Sequence, residues 1–256
     1  MSKFTPPISV QLYTLREESA KNFDRILSQL AEIGYQGVEP FNLYGKTPRE
    51  FRSQVENLGM EISSTHFPWM NRVEDVGQAA DIIQEMGLKR APGGFGPNDF
   101  KDMDSIKRTI ETTADLVERL KPYGITLCLH NHWWEYNKID GQIGYHYLQN
   151  QVSEVEFEID TYWAANFGQC DPAEEIRRVN SRTPLIHVKD GPLTKDHANV
   201  AVGDGTMDIP ALFDAADQDV LEWAVVELDK CDGDMFAAVA QSYNFLTNNN
   251  LTSGQN

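Results

Sequence analysis

The sequence predicts a single-domain (β/α)8 barrel. Three observations predict it: eight short β-rich apolar runs, an amphipathic helical segment between successive runs, and an average of 256/8 = 32 residues per unit. Strands that alternate with helices make a parallel sheet, and eight units at this spacing close it into a barrel. A doubly wound open sheet is the alternative, but no Gly-x-Gly-x-x-Gly follows the first strand.

The strands are expected at residues 8–13, 37–41, 61–66, 89–91, 125–130, 155–160, 185–189 and 224–228, where β-branched and apolar residues cluster between turn signals. Between the first two, residues 22–33 place Phe23, Ile26, Leu27, Leu30 and Ile33 on one helical face. The next helix, 47–58, opens Thr-Pro, a cap followed by proline at the first helical position. Residues 104–120 repeat apolar side chains at helical spacing, through Ile106, Ile110, Leu116, Val117 and Leu120. Asp171-Pro172 and Ile209-Pro210 open two later helices, and Gly59, Gly87 and Gly124 close three others. The barrel domain is expected over residues 1–246, followed by a flexible polar tail, 247–256.

Composition narrows the function. Hydrophobic residues make up 41% and charged residues 24%, enough for a full core. No apolar run approaches the roughly 18 residues that a membrane span needs. The start, MSKFTPPISV, shows no signal or transit peptide, so a cytoplasmic location is expected. The formal net charge of −17 argues against nucleic-acid binding, which depends on lysine and arginine displacing counterions. The three cysteines, Cys128, Cys170 and Cys231, form no CxxC pair, so neither a disulfide framework nor a thiolate zinc site is indicated. Whether the chain forms a homo-oligomer is left open.

In such a barrel, function sits at the C-terminal ends of the strands. Read in order, those ends carry Gln11, Tyr13 and Arg16; Glu39; His66; His130, His132 and Glu135; Glu158 and Asp160; His187, Lys189 and Asp190; and Glu227 with Asp229. Asp160, His187 and Glu227 end three consecutive strands, so their side chains can converge. Two carboxylates and an imidazole suit a divalent metal of intermediate hardness, one ion per chain, with Mn2+ first and Co2+, Zn2+, Mg2+ or Fe2+ as alternatives. Taken singly, Asp160 can be a cap, Glu227 an arginine partner and His187 a hydrogen-bonded core histidine.

Alternation puts His130 and His132 on one face. One of them supplies the fourth ligand, and His130, being deeper, lies level with the others. His132 and Glu135 then lie beside the metal or contact substrate. Lys189 shares the face of His187 and can donate to a developing oxyanion, or form a salt bridge to Asp160 or Asp190. The proton-transfer candidates are Glu227, Glu135, Lys189 and His132. The substrate-contact candidates are Glu39, His66, Tyr13, Trp163 and Asp190.

Seven stretches carry a family resemblance: QLYTLREE (11–18), IGYQGVEPFNLYGKTPREF (33–51), HNHWWEY (130–136), FEIDTYW (157–163), HVKDG (187–191), VGDGTMDIP (202–210) and VVELD (225–229). With them the chain resembles the xylose isomerase-like TIM barrel superfamily, in its sugar phosphate isomerase/epimerase branch. The resemblance implies a divalent metal on Asp160, His187 and Glu227. It also implies a small sugar-like substrate and an isomerase or epimerase reaction through an enediolate.

Ketose epimerases of that superfamily end strand five with a metal-binding glutamate, where this chain has His130. A reaction through two opposed glutamates is therefore not expected, and a histidine base or a single base fits better. A metal-dependent lyase or dehydratase, cleaving a ketoglycoside or acting on an inosose, is the alternative. A sugar-binding barrel without turnover is a third. Apurinic endonucleases of the same superfamily use many more histidines than the six here.

Overall fold

The computed structural model describes residues 5–255. Eight parallel strands make one curled sheet: β1 (Ile8–Gln11), β2 (Gly37–Glu39), β3 (Glu61–Ile62), β4 (Arg90–Gly93), β5 (Thr126–His130), β6 (Glu156–Asp160), β7 (Leu185–Val188) and β8 (Trp223–Val226). Their order is β3-β2-β1-β8-β7-β6-β5-β4, so β1 joins β8 and the sheet curls into a barrel. At the two ends of this order, the Asn71 side chain donates to Gly94 O (2.7 Å) and accepts from Gly94 N (3.3 Å), pinning the segment after β3 to the end of β4. Pro92 lies in β4, an end strand of the order, where a missing N–H costs least.

Alternation along the strands separates two environments. Ile8, Val10, Val38, Leu127, Leu129, Phe157, Ile159, Ile186, Val188, Ala224 and Val226 are buried in the apolar core. The intervening residues, Gln11, Glu39, His130, Glu158 and His187, are buried too, but their polar groups contact one another across the barrel. The upper interior of this barrel is therefore polar. At the opposite end Arg90 closes the floor, reaching Glu156 and donating twice to Glu222 (2.7 and 2.8 Å).

The helix starts follow the sequence chemistry. Thr47 accepts from Glu50 N while Glu50 accepts from Thr47 N, a reciprocal cap ahead of Pro48–Asn57. Asp75, Asp102, Asp171, Asp208 and Asp234 each accept backbone N–H groups at a helix start. Part of the large negative charge thus has a local structural use. The helix Arg16–Ile33 is broken at Asn22, whose side chain accepts from Arg25 N at 3.0 Å. Residues 23–33 therefore form a separately capped segment, as the apolar spacing predicts.

Two features differ from expectation. The antiparallel pair Lys138–Ile139 and Gln142–Ile143 is additional, turned by Asp140 and Gly141, both at positive φ. The expected flexible tail is instead tied down through residue 255. Ser253 N donates to Pro6 O (2.9 Å), Ile8 N to Ser253 O (3.1 Å) and Gln255 N to Gly34 O (2.8 Å), while Leu251 packs on the core. Its backbone satisfies backbone groups beside β1, a role that periodicity does not reveal.

Candidate functional site

Register sets the site. Asp160 lies opposite His187 in the β6–β7 ladder, and His130 lies opposite Glu158 in the β5–β6 ladder. Glu227 follows β8 directly, its N–H reaching Val188 O at 3.4 Å. The result is that one donor atom each from His130, Asp160, His187 and Glu227 lies within 4.8 Å of the others, all four residues buried. These are the four residues selected from the strand ends as ligand candidates.

Lys189 stands among the carboxylates. Its Nζ lies 2.8 Å from Asp160 Oδ2, 2.9 Å from Glu227 Oε2 and 2.8 Å from Asp229 Oδ2, with the side chain only 1% exposed. Burial opposes its charge, but the three carboxylates prevail and hold its pKa well above the usual value. Glu227 is pushed up by burial, yet Lys189 and His187 outweigh that and keep it ionised. For Asp160 burial dominates, and its pKa rises to about 6. Asp160 Oδ2 also lacks a well-aligned hydrogen bond, and so does His130 Nδ1. Buried ligand atoms without a well-aligned hydrogen bond, set among carboxylates, are what a divalent ion would satisfy, so the donor set fits such an ion.

The other expected residues lie in different surroundings. His132 stacks on Trp134 (centroids 4.3 Å apart) and keeps an unpartnered Nδ1. Burial, helped by Lys189, lowers its pKa to about 3, so this ring is neutral at physiological pH. Tyr13 and Trp163 stand higher. Tyr13 is exposed against Phe41 and under Arg16, and the Trp163 ring lies 5.4 Å from Lys189 Nζ. Glu135 is folded back: it accepts from His132 N at 2.9 Å, and burial raises its pKa well above the usual range.

Glu39 and His66 lie inside the barrel rather than at a hydroxyl-binding rim. Glu39 accepts from Gln11 and Ser64 and lies 2.9 Å from His187 Nε2. His66 Nε2 lies 2.6 Å from Glu158 Oε2. Asp190 requires a correction. Its Oδ1 accepts from Gly191 N (2.8 Å) and Met207 N (3.1 Å), and its Oδ2 from Gly203 N (3.0 Å) and Gly205 N (3.1 Å). Fully buried and bonded four times by backbone, it clasps the 202–208 loop and offers nothing to a substrate. A Cβ on Gly205 would collide with this carboxylate, which explains the glycine.

Sequence reading names Glu158 and Asp229 as strand-end residues but gives them no role. Period-two alternation already places Glu158 on the face of Asp160.

Comparison with known proteins agrees with this architecture. Over 193 residues the chain is 24% identical to the inosose dehydratase of Geobacillus kaustophilus, covering 65% of this chain and 61% of that protein. The chain thus spans about 61% of the length of this curated relative. A sugar phosphate isomerase/epimerase from Parabacteroides distasonis superposes with a TM-score of 0.78 at 24% identity, over 96% of this chain and 94% of the other. The "probable 3-DHS dehydratase" involved in petrobactin synthesis from Bacillus anthracis superposes at 0.70 with 12% identity, over 94% and 98% of the two chains. Among the described residues, no helix is long and apolar enough to cross a membrane. The family model for the xylose isomerase-like TIM barrel matches residues 27–248, and the chain belongs to that family.

Proposed function

We propose that the protein is a divalent-metal-dependent isomerase or epimerase of a sugar or related polyhydroxy carbonyl compound. The observation that carries this reading is the convergence of His130, Asp160, His187 and Glu227 at the C-terminal end of the barrel. The mixed oxygen and nitrogen donors suit Mn2+ best, with Co2+, Zn2+, Mg2+ or Fe2+ as alternatives. When bound, the ion polarises a carbonyl and its neighbouring hydroxyl and so acidifies the adjacent C–H.

The chain's own residues supply the proton transfers. Glu227 is an ionised carboxylate, and His132 is a neutral ring with a free nitrogen, near enough to Glu227 and Lys189 to feel both charges. We assign removal and return of the proton to these two. Lys189 holds a fixed positive charge where an oxyanion would develop and has a proton to give. Glu135 anchors the His132 backbone. Tyr13 and Trp163 flank the substrate.

The similarity to inosose dehydratase supports a second reading, a metal-dependent lyase or dehydratase. Both reactions begin with the same C–H abstraction. In the second, Lys189 or His132 protonates a leaving hydroxyl or alkoxide.

The test uses protein dialysed against a chelator and assayed on a panel of ketoses, inososes and 3-ketoglycosides, with and without Mn2+. Activity restored by the ion supports the proposal, and full activity in the metal-free protein refutes it. The product formed separates isomerisation from elimination.

A further inference from the structure

Below the site just described lies a second donor set. His66, His130, Glu158 and His187 each offer an atom within 4.8 Å of the others, and all four are buried. Glu158 precedes Asp160 by two residues on the same strand face, which is roughly 7 Å deeper into the barrel. Its Oε2 lies 2.6 Å from His66 Nε2 and 3.2 Å from His130 Nδ1. Glu39 adds a second carboxylate, with Oε1 3.3 Å from His66 Nε2 and 2.9 Å from His187 Nε2.

The two sets share His130 and His187, and a neutral imidazole has one lone pair to give. The ring orientations divide that resource. His187 turns Nδ1 to Glu227 (2.7 Å) and Nε2 to Glu39 (2.9 Å). His130 turns Nδ1 to Glu158 (3.2 Å) and Nε2 towards Asp160 Oδ2 (3.9 Å). One assignment leaves both sets with three ligands. In it, His187 Nδ1 joins Asp160 and Glu227, and its Nε2–H donates to Glu39. His130 Nδ1 joins His66 Nε2 and Glu158, and its Nε2–H points at Asp160 Oδ2. Both Asp160 Oδ2 and His130 Nδ1, the latter on a residue only 5% exposed, lack a well-aligned hydrogen bond in the structure.

Charge points the same way. Glu39, Glu158, Asp160 and Glu227 are buried in the shared interior, and Lys189 is the ammonium set among them. Four buried carboxylates face one ammonium, so protons on the buried carboxylates and imidazoles, or divalent ions in their place, balance the excess negative charge. Uncompensated buried charge costs several kcal/mol per ion.

We propose that the barrel holds a second divalent cation beneath the first, on His66, His130 and Glu158. Two nitrogens and one oxygen select a borderline transition ion such as Zn2+, Co2+ or Mn2+. The proposal rests on the reading of the upper cluster as a metal centre, and it moves His130 from that centre to the lower one.

The experiment loads chelator-treated protein with Mn2+ alone, counts bound ions by mass spectrometry and records the EPR spectrum. The parent is expected to bind about two ions per chain, close enough to couple and to suppress the isolated-ion spectrum. Glu158→Gln, nearly isosteric, is expected to halve the count and restore the isolated-ion spectrum. His66→Gln, on the opposite side of the barrel, is expected to do the same. Asp160→Ala is expected to lose the other ion. Far-UV circular dichroism confirms that each variant is folded. One ion per chain, lost in Asp160→Ala but kept in Glu158→Gln and His66→Gln, overturns the proposal and leaves the upper centre standing. No bound ion in the parent overturns both.

Discussion

Lys189→Met removes the ammonium from the middle of the cluster while keeping an unbranched stem of similar volume. In the parent, Nζ is 2.8 Å from Asp160 Oδ2 and 2.9 Å from Glu227 Oε2, and both carboxylates are buried. Breaking a buried pair by removing one partner costs about 3–5 kcal/mol, because the charge left behind has no solvent. The third partner, Asp229, has a side chain 33% exposed and adds little, since water screens it. At about 2–4 °C per kcal/mol for a chain of this size, the metal-free variant should melt roughly 6–20 °C below the metal-free parent. With saturating Mn2+ the same carboxylates gain a dication, and the difference should shrink. Differential scanning fluorimetry with chelator and with Mn2+ reads both quantities. A metal-free variant as stable as the parent, or a deficit unchanged by Mn2+, refutes the reasoning.

Three further outcomes are expected. Metal affinity should fall on acidification through about pH 6, because the proton that burial holds on Asp160 must leave before the carboxylate can act as a ligand, giving up to tenfold per pH unit for one released proton. Calorimetry across about pH 5 to 7 checks this, and a flat affinity contradicts it. Glu227→Gln should lower turnover far more than substrate binding if Glu227 moves the proton, whereas steady-state kinetics showing equal losses would assign it a ligand role only. Asp190→Asn replaces one acceptor oxygen with a donor facing two backbone N–H groups, at about 1–3 kcal/mol each. Hydrogen exchange should then rise across residues 202–208 with little change in the strands, and unchanged protection there would show that the clasp is not what orders the loop.

Much of the barrel is legible in the sequence because most strands carry apolar side chains outward at period two, and many helix starts carry a cap. The Thr47-Pro48 helix start and the apolar face that begins after Asn22 can be read from residue type alone, whereas the helical turns from Arg16 to Lys21 cannot. The expected third strand, 61–66, overshoots: the ladder covers Glu61–Ile62, and Ser64 and His66 turn inward to Glu158. Propensity does not register that demand. The ligand candidates are legible because neighbouring strands in a parallel barrel end at one level, which brings Asp160, His187 and Glu227 together. Asp190 misleads for the same reason, since its place beside Lys189 says nothing about the glycine loop folding back to bind it. Glu39 and Glu158 were visible as acidic strand residues, but their depth depends on barrel stagger, which no local pattern encodes.

The central claim, metal-assisted removal of a proton next to a carbonyl, is tested most directly by solvent exchange. Protein loaded with Mn2+ is incubated in D2O with ketoses, inososes and 3-ketoglycosides, and the substrates, after removal of the ion, are followed by NMR. The account predicts deuterium at the carbon adjacent to the carbonyl of the accepted substrate, abolished by chelation and by Asp160→Ala. Turnover without exchange at that carbon, or exchange that persists unchanged after chelation, would contradict it.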